Sequence, residues 1–188
     1  MPWNDYITLL LVSASAGLLV LAAYFYWGLN SPRPQVFAPA LAAPGLISLA
    51  MGLHMVMNWP IKDGAAFANV CFGETSVLFG AILLAASLSV ARRWPLHGVA
   101  LLGLVGGLVD IVIGVRIYNA WVTAMPDVTC VGFILTGLVG VLALPTVANP
   151  TKALRTFAAL LTLLAALFWG GMGLFAYWAH VALAAQIK

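Results

Sequence analysis

Six stretches of mostly apolar sequence run through the chain, and each has the roughly 20 residues that a helix needs to cross a bilayer. They run from Ile7 to Leu29, Pro39 to Trp59, Ala65 to Val90, Leu96 to Trp121, Val128 to Val147 and Ala153 to Ala184. The last is long enough to tilt or overhang the bilayer. Turn chemistry fills the breaks: Asn30-Ser31-Pro32-Arg33-Pro34, Pro60-Ile61-Lys62-Asp63-Gly64, Arg92-Arg93-Trp94-Pro95, Pro126-Asp127 and Asn149-Pro150-Thr151-Lys152. Asn149 or Thr151 would cap the sixth helix. Trp3, Trp27, Trp59, Trp94 and Trp121 fall at span ends, where amphipathic rings sit in the interface. Apolar residues run on continuously and do not alternate, which argues against a barrel. The expected fold is an all-α integral membrane protein, a single six-helix transmembrane domain over residues 1–188.

Composition excludes the alternatives. Only 7% of residues are charged and 64% are hydrophobic, whereas a soluble domain carries about 25% charge. No basic run interleaved with aromatic residues supports nucleic-acid binding. Two cysteines without CxxC spacing make neither a disulfide scaffold nor a structural zinc site. Cys71 and Cys130 fall on one side of the bundle, as a disulfide pair or as two free thiols. The first span has no Lys or Arg before it and no clear cleavage site after it, so it reads as a retained helix and not a signal peptide.

Charge also orients the helices. The loops after helices one, three and five carry Arg33, Arg92, Arg93, Lys152 and Arg155 with no acidic residue. The opposite side carries Lys62 and Lys188 among Asp5, Asp63 and Asp127. The positive-inside rule places both termini outside the cytoplasm, on the periplasmic side of an inner membrane. Glycines at 103, 106 and 114, at 132, 137 and 140, and at 170, 171 and 173 predict close helix packing.

The informative residues are the ionisable ones inside spans, which insertion scales penalise by roughly 2.5–3.5 kcal/mol. At about 1.5 Å per residue, His54 lies about 7 Å below the outer surface, Glu74 about 13 Å, Asp110 about 16 Å, Arg116 about 8 Å and His180 about 6 Å. All five share the outer half of the bundle. Met51, His54 and Met55 share a face of helix two, and Tyr118 and Tyr177 lie on the same side. One reading of this set is a metal site. His54, Glu74, Asp110 and His180 would be ligands, with Glu74 as the base that activates metal-bound water, and Asn69, Tyr118 and Arg116 around them. A divalent metal suits imidazole and carboxylate, and copper would suit the thioethers. A b haem between His54 and His180 is a further option. The competing readings are an ion pair of Arg116 with Glu74 or Asp110, and a proton or ion relay through the two carboxylates. Function then divides among a periplasm-facing metalloprotein of hydrolytic or redox chemistry, an accessory subunit of a larger membrane complex, and a proton- or ion-coupled carrier that works as a homo-oligomer.

Around the same residues the chain resembles a family of small polytopic bacterial and archaeal membrane proteins known as a domain of unknown function. The resemblance rests on Gly52-Leu53-His54-Met55 with Trp59-Pro60, on Asn69 with Phe72-Gly73-Glu74 and Leu78-Phe79-Gly80, and on Gly107-Leu108-Val109-Asp110. It implies a compact helical membrane domain and no particular reaction.

Overall fold

The computed structural model describes residues 6–123 and 125–184. Six long helices account for most of them: α1 Tyr6–Ala23, α2 Ala38–Asn58, α3 Thr75–Arg92, α4 His97–Ala120, α5 Pro126–Ala148 and α6 Lys152–Ala184. A π-helical turn, Tyr24–Gly28, continues α1, and another, Asn69–Glu74, leads into α3. With these turns all six helices are long and apolar enough to cross a membrane, and the expected boundaries hold to within about a turn and a half. Thr151 is the residue that caps α6: its hydroxyl accepts from the backbone N–H of Leu154 at 3.3 Å.

Each helix packs against the next in sequence, and α6 returns to pack along α1. The six therefore form a closed ring around a central axis. The α1–α6 register is antiparallel. Thr8 pairs with His180 near one end, the buried Ser15 hydroxyl donates to the Ala166 carbonyl at 2.8 Å midway, and Arg155 reaches the end of α1. The start of α1 and the end of α6 thus share one end of the ring, and Arg33, Arg92, Arg93, Lys152 and Arg155 gather at the other.

Packing in hydrocarbon gains nothing from hiding apolar side chains, so helices associate where small residues let backbones approach. The tightest contacts follow that rule. Gly137 of α5 faces Gly107 of α4, and a Cβ on Gly137 would stand 2.6 Å from the Gly107 carbonyl oxygen. Gly52 of α2 faces Gly73, where a Cβ would meet the Gly73 carbonyl oxygen at 2.8 Å. Gly173 of α6 lies on Val12 of α1. The expected glycine packing is present at 103, 114, 132, 137, 140, 170 and 173, whereas Gly171 faces open space. On α4 the packing stripe is Gly103, Gly107 and Gly114; Gly106 turns toward the axis instead.

At the basic end, the π-helical turn leaves carbonyls of the α1 segment exposed to a donor. The Arg155 guanidinium supplies it, donating from Nε to Phe25 O at 3.2 Å and from a terminal nitrogen to Tyr26 O. Replacing Arg155 by Met removes charge-assisted bonds and keeps the aliphatic stem. We expect the variant to lose about 1–2 kcal/mol of stability, read as a lowered melting temperature in detergent.

Candidate functional site: a polar waist on the ring axis

Two small cavities lie one above the other inside the ring. The first, about 50 Å³, is lined from α1, α3, α4, α5, α6 and the turn before α3 by residues that include Leu10, Ala14, Phe72, Ser76, Phe133 and Trp169. The second, about 60 Å³, lies toward the basic end among Leu18, Ile82, Leu83, Gly103, Gly106 and Gly140. Thr75, Phe79, Asp110 and Thr136 line both cavities. These four residues form a waist where the two meet. A cavity needs only about 10–15 Å³ of such space to hold one water, so each has room for a few water-sized molecules.

The waist is polar because three neighbouring helices each contribute one oxygen-bearing side chain: Thr75 from α3, Asp110 from α4 and Thr136 from α5. Each hydroxyl is fixed by its own helix. Thr75 Oγ1 donates to Cys71 O at 2.6 Å, and Thr136 Oγ1 donates to Gly132 O at 3.0 Å. Trp169 of α6, only 6% exposed, donates its indole N–H to Thr136 Oγ1 at 2.7 Å. Its ring stands edge-on to Phe133 at 5.6 Å, and Phe133 in turn contacts Phe72 at 5.5 Å. This aromatic group holds the termini side of the waist. Leu18, Leu21, Leu83 and Val139 hold the other side.

Asp110 has no hydrogen bond or ion pair to any described residue. A carboxylate in the middle of a membrane with no protein partner is expensive unless it reaches water. The two cavities are the open space beside it.

The other expected site residues do not join it. Glu74 was expected to be buried beside a polar partner; it is exposed on the outside of the ring. The π-helical turn Asn69–Glu74 presents Asn69 and Gly73 inward and leaves Glu74 outside. Thr75 and Ser76, which follow Glu74 in the sequence, line the axis with Asp110. Asn69 is fully buried, but it ties down the α2–α3 loop. Its amide donates to Ile61 O at 2.7 Å and to Ala66 O at 3.0 Å, and its carbonyl accepts from Ile61 N. Arg116 and Tyr118 are exposed, and no ion pair joins Arg116 to Glu74 or Asp110.

The two histidines are taken up separately by the first turn of α1. His54 is exposed; Tyr6 Oη lies 3.2 Å from its Nε2, the rings stack at 5.2 Å, and Asn58 Nδ2 lies 3.2 Å from its Nδ1. His180 Nδ1 lies 3.3 Å from Thr8 Oγ1. The Met51, His54 and Met55 face of α2 is split: Met55 is fully buried, Met51 half-buried and His54 exposed. Cys71 and Cys130 are free thiols. Among the described residues no three His, Cys, Asp or Glu side chains gather closely enough to hold a metal ion. Shared depth put these groups at one level of the ring, but they point in different directions around it.

Thr136 and Trp169 escaped the sequence reading. The available signal was a tryptophan in mid-span, far from the interfaces where the other rings sit.

Comparison with known proteins agrees with the fold. The chain is similar to a solved structure, the Helicobacter pylori urea channel in its closed state, with a TM-score of 0.74 at 14% sequence identity, covering 92% of this chain and 98% of that one. At that identity the likeness concerns the fold. No curated protein matches the chain. The family described as "Protein of unknown function (DUF981)" matches residues 1–183. The chain is a multi-pass membrane protein, and it belongs to the DUF981 family.

Proposed function

We propose that this chain is a narrow conduit that lets small uncharged polar molecules cross the membrane along the ring axis. The observation that carries the reading is the waist: two cavities on the axis of a closed ring meet at an unpartnered carboxylate and two hydroxyls. A site built only to pack would fill that space with hydrocarbon. The passenger is uncharged because the polar stretch is short. Leucine, alanine and phenylalanine line the axis on one side of Asp110, and leucine, isoleucine and glycine on the other, and an ion stripped of water there would lose far more than one carboxylate returns. The passenger is small because the cavities admit only a few water-sized molecules. The similar solved structure is a urea channel, which is a precedent for this fold carrying a passenger of that class.

The membrane is a bacterial-type inner membrane, with both termini outside and the Arg92–Arg93 end in the cytoplasm, on the strength of the charge asymmetry.

The reading is tested by reactivity at the waist. With Cys71 and Cys130 replaced by Ser, Thr75→Cys should react with a small water-soluble thiol reagent. Val112→Cys, which starts from a side chain 67% exposed on the outer surface of the ring and so faces lipid, should react at least about tenfold more slowly, because thiolate forms poorly away from water. Equal protection at both positions would contradict a hydrated axis.

A further inference from the structure

The waist has a chemical polarity of its own. Every proton that its hydroxyls carry is spent on backbone: Thr75 Oγ1 on Cys71 O, and Thr136 Oγ1 on Gly132 O. The nearest N–H donor, the Trp169 indole, is spent on Thr136. Asp110 contributes carboxyl oxygens and has no hydrogen-bonding partner among the described residues. No Lys, Arg, His, Asn or Gln side chain lines either cavity. Outside the waist, the Ser76 hydroxyl also lines the first cavity; at the constriction itself, what remains available is oxygen lone pairs, from the three neighbouring helices α3, α4 and α5.

We infer that the waist selects molecules that donate hydrogen bonds from more than one edge, of the amide or urea type, over equally small polar molecules that only accept. This rests on the conduit reading above and narrows its passenger class. A donor-rich molecule replaces the hydration of Thr75, Asp110 and Thr136 as it passes. An acceptor-only molecule leaves those oxygens desolvated and unpaired. Leaving buried acceptors unsatisfied is worth about a factor of ten or more in rate. Thr75 and Asp110 are then specificity-determining residues, and Trp169 positions Thr136 by holding its hydroxyl oxygen toward the aromatic side.

The experiment compares two polar solutes in proteoliposomes by stopped-flow light scattering, and because urea is the smaller of the two, the selectivity is read from how their ratio changes between wild type and variants. Urea is rich in N–H donors, and trimethylamine N-oxide has none. The wild-type chain should pass urea at least about tenfold faster than trimethylamine N-oxide, after subtraction of protein-free vesicles. Asp110→Asn keeps the shape and adds N–H donors to the waist, so it should lower that ratio severalfold. Thr75→Val removes one acceptor with little change of volume and should lower it as well; it serves if the Asp110 variant does not fold. Equal passage of both solutes, each above protein-free vesicles, would overturn the selectivity and leave the conduit standing. Unchanged ratios in folded Asp110→Asn and Thr75→Val would overturn the assignment of selectivity to these residues. Passage of neither solute above protein-free vesicles would overturn the conduit reading, and this inference with it.

Discussion

Gly140→Val should abolish the folded protein. Gly140 of α5 sits against the backbone of α4: an added Cβ would fall on the Gly103 carbonyl oxygen, 2.8 Å from Gly107 Cα and 3.0 Å from Gly107 N. All three are backbone atoms of a regular helix, so no rotamer change relieves the overlap. The α4–α5 pair must separate, and in lipid no hydrophobic force brings it back together. The cost lies at or above the top of the roughly 1–3 kcal/mol typical of an over-packed interior. We expect loss of the monodisperse peak in detergent chromatography. Gly171→Val is the control, since nothing lies within 4 Å of that position, and it should purify like the wild type. Equal yields of the two variants would show that the close approach of α4 and α5 does not hold the ring together.

Gly106→Leu should give the opposite pattern, a folded protein without transport. Gly106 lies one residue from the α4–α5 contact but faces the second cavity. The one atom near an added Cβ is Ile82 Cδ1, at 3.1 Å. That is the far end of a flexible side chain and can give way. The isobutyl group would occupy a space of about 60 Å³, on the proposed path between α3, α4 and α5. Solute flux should fall to the level of protein-free vesicles, while melting temperature stays within a few degrees of the wild type. Flux that survives in the folded variant would place the path elsewhere.

The two glycines also show where the sequence could be read and where it could not. The spans were legible because hydropathy and length act on whole segments, and one misjudged residue does not move a helix. Tight glycine packing was legible for a similar reason. The direction in which each glycine points was not: Gly106 looked like a member of the stripe, and only the ring shows that it faces the axis. Depth could be counted along each helix at a fixed rise, so the ionisable groups could be assigned to one level. Azimuth could not, because it depends on which helices are neighbours. The π-helical turn Asn69–Glu74 made this worse, since its wider turn changes the facing of every later position on α3. Glu74 moved to the outside and Thr75 to the axis for that reason. Asp110 could be singled out without knowing its direction, because the cost of a carboxylate in hydrocarbon does not depend on direction. What lies around it is open space and two hydroxyl-bearing side chains, not imidazole.

Solute permeability of the purified chain in vesicles decides whether the ring is a conduit. Urea flux should exceed that of protein-free vesicles, scale with the amount of protein reconstituted, and disappear in folded Gly106→Leu. A folded wild-type protein that adds nothing to the permeability of the vesicles to urea, to formamide or to water would contradict the conduit reading.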